Sequence, residues 1–176
     1  MRLASADERD RLLAACKRET VHLELRDFYG VAGDAERFAR FKELGCRDLE
    51  AEAAEVRPWT DLIRSVTRDG RTVRRARIVS EPVTDYIRYE WAGTPHIVAA
   101  GEDVRWLPRR LASTIALPGN DFWLFDDVSV LFTVFNGAGE VAERQLTTDP
   151  AAVQLCRAAF EAVWALATPH SEYRPH

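Results

Sequence analysis

Long apolar runs are missing from this chain of 176 residues, and stretches such as Val128–Phe135 are far too short to span a bilayer. Residues 1–19 are charged throughout and lack the apolar stretch of a secretory signal, so we expect a cytoplasmic protein with no membrane partner. Cysteine is scarce: Cys16, Cys46 and Cys156 stand far apart, without a C-x-x-C pair or a histidine at ligand spacing. We therefore expect reduced thiols, no structural zinc site and no cofactor.

Lysine is nearly absent as well, because Lys17 and Lys42 are the only lysines among 24 lysine and arginine residues. The formal net charge is −4. This acidic balance argues against a protein that binds nucleic acid over its whole surface, but it permits a local basic patch. Hydrophobic residues make up 47% and charged residues 30%, the balance of an ordinary globular chain that is long enough to bury a core.

Hydrophobic periodicity alternates between helical and strand spacing, which predicts an α/β fold in which helices cover a mixed sheet. The predicted helices are residues 5–18, 34–44, 48–69 with a break at Pro58, 82–89 and 150–167. The predicted strands are residues 21–25, 73–79, 121–125, 128–134 and 141–147. Residues 96–106 show a pattern of short strands and turns, and residues 100–110 are predicted as a loop. We expect the apolar pair at 121–134 to lie inside the sheet, covered on both faces.

The chain is expected to form one domain over residues 1–176. Within it we expect an N-terminal extension of helix and strand at 1–47, a core at 48–168 and a frayed tail at 169–176.

Three segments, residues 59–79, 121–135 and 147–167, resemble one half of the phospholipase D superfamily fold. In order, they match its helix, glycine turn and strand, its strand pair with a double-acid turn, and its closing helix. The catalytic motif of that superfamily is His, any residue, Lys, four residues and Asp. Alignment on Asp127 puts Asn120 and Phe122 at the His and Lys positions, and alignment on Asp126 supplies neither residue. The resemblance implies a phospholipase-D-like half-domain that binds rather than catalyses, because Asn and Phe can neither attack phosphorus nor bind phosphate.

A second resemblance covers most of the chain and is to an uncharacterised family of small bacterial proteins that are often encoded beside helix-turn-helix regulators. It rests on residues 22–29, 73–91, 100–109 and 121–127. The resemblance implies a non-catalytic accessory protein that acts through contact with a transcription regulator. The oligomeric state stays open.

The expected partner surface is a groove beyond the carboxyl ends of the sheet strands, where α/β folds usually bind ligands. Its residues are Arg77, Arg105, Trp106, Arg109, Asp126 and Asp127. Arginine and tryptophan are enriched where proteins contact one another, which favours a protein partner.

Two alternatives remain open from the sequence. The first is direct nucleic-acid binding through an arginine cluster, Arg64, Arg68, Arg71, Arg74, Arg75 and Arg77, because guanidinium groups bind phosphates in a bidentate manner. The second is a residual hydrolase that uses Asp126, Asp127 and His96.

Overall fold

A mixed eight-stranded sheet organises the chain in the computed structural model, which describes residues 1–31 and 33–176. The strands are β1 (Arg2–Leu3), β2 (Glu19–Glu24), β3 (Thr72–Val79), β4 (Glu102–Pro108), β5 (Asp121–Phe125), β6 (Ser129–Phe135), β7 (Val141–Thr147) and β8 (Thr168–Pro169). The helices are α1 (Ala6–Ala15), α2 (Ala35–Leu44), α3 (Leu49–Thr67), α4 (Asp85–Gly93), α5 (Pro95–Ala99) and α6 (Pro150–Leu166). Within this described part of the chain, no helix is both long and apolar enough to cross a membrane.

The strand order across the sheet is β1-β7-β6-β5-β2-β3-β4-β8. Strands β2, β3 and β4 are parallel, whereas β5, β6 and β7 continue the sheet in antiparallel pairs. Strands β5 and β6 therefore lie inside the sheet, as the 121–134 prediction required. Phe122 and Leu124 are fully buried there.

The two faces of the sheet are covered differently. Helix α6 packs on one face, where Phe160 joins Val21, Ile78 and Phe122 in an apolar core. Helices α1 and α3 pack on the opposite face, which we call the α3 face, and Leu13 and Ile63 belong to the core there. The sandwich is the α/β architecture that the sequence predicts.

Local signals in the sequence set several helix ends. The Ser5 hydroxyl accepts a hydrogen bond from the Glu8 amide and begins α1, and Asp149 caps α6 through the Ala151 amide. Gly45 ends α2 in the left-handed conformation at φ 71°, which glycine adopts without a steric penalty.

Three predictions of secondary structure are wrong. Pro58 lies inside α3 without dividing it, because it and Ala54 are exposed and water can bond to the carbonyl that loses its donor. Helix α4 begins at Asp85 rather than at residue 82, because the Thr84 hydroxyl accepts from the Ile87 amide and caps it. The predicted loop 100–110 is mostly strand β4, paired in parallel with β3.

The termini are also more integrated than the sequence suggests. Strand β2, from the expected extension 1–47, lies between β5 and β3 and belongs to the core of the sheet. The expected tail is held too: β8 pairs with β4, and the Tyr173 ring stacks on Trp106 with centroids 5.5 Å apart. An aromatic contact over a buried tryptophan explains why this segment does not fray.

Candidate ligand-binding cavity

A cavity of about 740 Å³ lies between the sheet and the helices on the α3 face. Strands β2, β3, β5, β6 and β7 contribute its floor, and side chains of α1, α2, α3, α4 and α5 contribute its walls. A concave site of this size, lined by aromatic and charged groups, is of the kind that binds small molecules.

The floor consists of two cross-strand rows, because residues that pair in register project from the same face of a sheet. In the first row, Arg75 on β3 pairs with His22 on β2, which pairs with Trp123 on β5.

The second row lies one step along the strands. Arg77 on β3 pairs with Glu24 on β2. Further along the same row, Asp121 on β5 pairs with Thr133 on β6, which pairs with Arg144 on β7. A row of polar side chains thus crosses the centre of the sheet on the α3 face.

Most of the charge in these rows is mutually neutralised. The Arg75 guanidinium lies 2.5 Å from Glu24 and 2.6 Å from Glu102, and Arg77 lies 2.9 Å from Glu24 and 2.7 Å from Glu90. Although burial acts to lower it, these carboxylates keep the pKa of both arginines above the ordinary value. Both arginines are therefore fixed cations, held by a buried network in which removal of one partner would leave a charge uncompensated.

His22 is a neutral group in this network. Its ring stacks on Trp123 with centroids 3.9 Å apart, and its Nδ1 atom forms no hydrogen bond with any described residue. Burial, followed by the charges of Arg75 and Arg77, lowers the pKa of His22 well below its ordinary value. The imidazole lines the cavity, and its Nδ1 atom lies 3.4 Å from Glu24 Oε1 without a hydrogen bond among the described residues.

Asp121 is almost completely buried, at 2% exposure. The Tyr29 hydroxyl donates to its carboxyl at 2.5 Å, and the Leu25 amide donates at 3.0 Å. Burial and the nearby Glu24 carboxylate raise the pKa of Asp121 to about 7, against the opposing effects of Tyr29, Leu25 and Arg26. Asp121 is therefore a carboxyl poised between its neutral and charged forms near neutral pH.

Arg144 stands at the other end of the second row. Burial and the positive charge of Arg9 lower the pKa of Arg144, whereas Asp10 opposes them. Within residues 1–31 and 33–176, no carboxylate forms an ion pair with the Arg144 guanidinium. The Arg9 guanidinium lies over the Trp59 ring, 5.1 Å from its centroid, so this end of the cavity combines positive charge with aromatic surface.

These groups can anchor a ligand through charge, hydrogen bonds and stacking. The described residues contain no group of three His, Cys, Asp or Glu side chains that could hold a metal ion.

The groove expected from the sequence is not assembled. Trp106 and Arg77 are buried at 0% and 4% exposure, so neither presents a contact surface to a protein. Arg105 projects from the opposite face of β4 and lies over the Trp164 ring of α6 at 4.2 Å. Arg109 holds strand ends together: its guanidinium donates to the Leu25 and Ile78 carbonyls at 2.7 and 3.0 Å.

The acidic pair lies at the other end of the sheet, because β5 runs antiparallel to β2. The Asp126 carboxylate accepts hydrogen bonds from the Lys17 and Arg18 amides at 2.7 and 2.8 Å. Asp127 accepts from Arg157 of α6 at 2.5 Å. Both carboxylates therefore organise a turn, in which residues 126 and 127 adopt φ 52° and 60°.

The position of Asp126 and Asp127 at the other end of the sheet also argues against the residual-hydrolase hypothesis. His96 lines the cavity, whereas Asp126 and Asp127 do not. The three side chains do not converge on a common reacting atom.

The arginine cluster is also divided among several environments. Arg74 pairs with Glu19 and Glu161, both at 2.7 Å, on the α6 face. Arg71 donates to the carbonyls of Ala14 and Cys16. The buried Arg75 and Arg77 face the cavity, and only Arg64 and Arg68 remain on an exposed helix surface. They do not form one basic face for a polyanion.

Sequence reasoning did not identify Asp121 or Arg144, and it gave no role to His22 or Glu24. One signal was present. Strands buried on both faces of an α/β sheet are usually continuously apolar. Strand β2 has the sequence ETVHLE instead, with polar residues at 20, 22 and 24 between apolar ones. Strand β3 places arginine at 75 and 77 in the same manner. Charge with period two in a central strand indicates a polar cavity on one face.

Two solved structures of other proteins have a similar fold. NucT from Helicobacter pylori aligns with 93% of this chain and 89% of its own, at a TM-score of 0.54 and 10% identity. Nuc from Salmonella typhimurium, a phospholipase D family member, aligns with 97% of this chain and 91% of its own, at a TM-score of 0.54 and 12% identity. The chain thus has a phospholipase-D-like fold, whereas no curated protein matches its sequence. The family described as a domain of unknown function, DUF6879, matches residues 7–175, and this chain therefore belongs to that family.

Proposed function

We propose that this protein is a non-catalytic accessory protein that binds a small polar ligand in the cavity on the α3 face. The observation that carries the proposal is the cavity itself, in which His22 Nδ1 is buried without a hydrogen-bond partner among the described residues. Buried polar atoms without partners destabilise a fold unless water or a ligand satisfies them.

The proposal of a non-catalytic role rests on the strand that would carry the phospholipase D motif. Phe122, at the position of the motif lysine, is fully buried in the apolar core on the α6 face. Asp127, at the position of the motif aspartate, is paired with Arg157. These contacts support stability, and the described residue at the position of the motif histidine is Asn120, which is not a nucleophile.

The regulatory part of the proposal concerns a protein partner. In this proposal, the ligand in the cavity controls contact between this protein and a transcription regulator. The class of partner follows from the family resemblance alone. Direct binding of nucleic acid through the predicted arginine cluster would rely on Arg64 and Arg68, and it would weaken by about one unit of log-log slope per phosphate contacted as salt rises. Protein contact would persist in moderate salt.

Native mass spectrometry of the chain purified from its own cells tests the cavity. Thr133→Trp should fill the floor between Asp121 and Arg144, and Val141→Trp should narrow the rim. Val128→Trp is the matched control, because Val128 is 63% exposed in the turn at the far end of β5.

We expect a bound small molecule on the wild type and on the control, and its loss from both cavity variants. The proposal fails if the wild type carries no such mass and its Tm does not rise with the small-molecule fraction of a cell extract. Retention of the molecule by both filled variants would also contradict it.

A further inference from the structure

Among the described residues, two charged groups of the two cross-strand rows, Asp121 and Arg144, lack an ion-pair partner of opposite charge. The remaining arginines and acids of the lining are engaged with neighbours: Arg75 and Arg77 with Glu24, Arg77 with Glu90, Arg37 with Asp34, Arg47 with Glu52, Arg9 with Asp10, and Glu140 with Asn136. Asp121 has neutral donors only, from Tyr29 and the Leu25 amide. Arg144 forms no ion pair within the part of the chain that the structure describes.

These two groups lie in one cross-strand row. Asp121 pairs with Thr133, and Thr133 pairs with Arg144. Since neighbouring strands lie about 4.8 Å apart, the backbone positions of Asp121 and Arg144 are roughly 10 Å apart on the same face. Thr133 separates them in this row, and its side chain carries no charge.

Each environment disfavours the charge that it contains. Burial and Glu24 act against a negative Asp121, and burial and Arg9 act against a positive Arg144. A cation beside Asp121 and an anion beside Arg144 would each remove that penalty. One molecule with both groups can do so at once, because the two sites share a continuous cavity.

We propose that the cavity binds a small zwitterionic ligand, with its anionic group at Arg144 and its cationic group at Asp121. This inference rests on the proposal that the cavity is a ligand site. Aromatic side chains suit the body of such a ligand: Trp59 lies under the Arg9 guanidinium near Arg144, Trp123 contacts Trp59, and Tyr29 and Phe135 line the Asp121 end. Aromatic rings beside the cationic group add attraction through their negative faces.

The occupant is a small molecule rather than a chain segment, because side chains from five helices and five strands line the space. His22 supplies a further recognition atom: it is 9% exposed, and its Nδ1 is unpartnered among the described residues. A neutral imidazole can accept or donate a hydrogen bond without adding charge.

Isothermal titration of the full chain with three probes tests this assignment. The probes are 4-(aminomethyl)benzoate with both charges, benzoate with the negative charge, and benzylamine with the positive charge. We expect the zwitterion to bind at least about tenfold more tightly than either single-charge probe, because it forms both ion pairs.

The variants assign each charge to its residue. Arg144→Gln should weaken the zwitterion and benzoate at least about tenfold and leave benzylamine unchanged, whereas Arg144→Lys should restore part of the affinity. Asp121→Asn should weaken binding of the zwitterion and of benzylamine at least about tenfold and leave the affinity for benzoate unchanged. Arg68→Gln is the matched control, since Arg68 is exposed and does not line the cavity.

Equal affinity for the three probes would overturn the zwitterion assignment, as would no binding of any probe or unchanged affinities in both variants. If the probes bind equally and Thr133→Trp abolishes their binding, the zwitterion inference fails while the cavity remains a ligand site. The absence of any native ligand from the wild type is the separate result that removes the proposed function.

Discussion

The hydroxyl of Tyr29 donates a hydrogen bond to the carboxyl of Asp121, 2.5 Å away, on the buried floor of the cavity. Five residues along the chain, Asp126 accepts its hydrogen bonds from the backbone amides of residues 17–19. Burial raises the pKa of Asp121, and the amide donors, against the effect of burial, lower the pKa of Asp126. Two aspartates on one strand and its turn should therefore influence stability in opposite pH ranges.

Asp121→Asn should flatten the decline of stability with rising pH. A carboxyl whose pKa rises from 3.8 to about 7 on folding favours the folded state in its protonated form. This contribution is complete below the unfolded pKa and is lost as pH rises through about 7, by at most about 4 kcal/mol. Urea unfolding at about pH 5 and about pH 8 measures the difference. Parallel pH profiles for the variant and the wild type would show that Asp121 is ionised in the fold throughout.

Asp126→Ala should destabilise the fold at neutral pH by about 1–3 kcal/mol, because three backbone donors lose their acceptor. The lowered pKa means that this contribution is present above the unfolded pKa and is lost as pH falls through the folded pKa. The free energies of unfolding of the wild type and the variant, measured with urea in acid, should therefore converge.

Asp126→Asn is the conservative control for that experiment. It should retain more stability than the alanine variant, because asparagine tolerates the φ of 52° at this position. An alanine variant as stable as the wild type at neutral pH would rule out the capping role.

Phe160→Ala in α6 should lower the free energy of unfolding by about 3–5 kcal/mol, the usual effect of truncating a buried phenylalanine. Phe160 is fully buried in the α6-face core and stacks on Trp164. Leu155→Ala on the same helix is the matched control, because Leu155 is 42% exposed and its change should fall within about 0.5 kcal/mol. Equal melting curves for the two variants would mean that α6 does not pack as described.

No hydrolysis of a chromogenic phosphodiester is expected from the purified chain. Asn120 and Phe122 occupy the motif positions of histidine and lysine, and Asp127 is paired with Arg157. Release of nitrophenolate from bis(4-nitrophenyl) phosphate measures the activity. Turnover that Asp127→Asn or His96→Ala abolishes would contradict the expectation, whereas turnover that survives both would point to a contaminant.

Local chemistry determined much of the secondary structure. Ser5, Gly45 and Asp149 act at helix ends through bonds or conformations within a few residues of themselves, so the sequence alone predicts them. The hairpin between β5 and β6 is equally local, because adjacent apolar strands joined by a short acidic turn pair with each other. The segments that resemble the phospholipase D superfamily also predicted the fold correctly.

Long-range pairing decided the site. The sequence shows neither that β5 runs antiparallel to β2, which separates Asp126 from Arg109, nor that β4 lies beside β3, which buries Trp106. Register across strands that are distant in sequence placed Asp121 in one row with Arg144.

The sequence by itself therefore determined the residue types, the helix ends and the mixed α/β class of this protein, because these depend on contacts within a few residues. Only the tertiary structure decided which charges neutralise one another. The sequence does not distinguish an arginine that faces solvent from one that forms buried ion pairs. The basic-patch hypothesis assumed the first, whereas Arg75 pairs with Glu24 and Glu102. The strength of a charge depends on its partners and its burial, and both are set when distant strands come together.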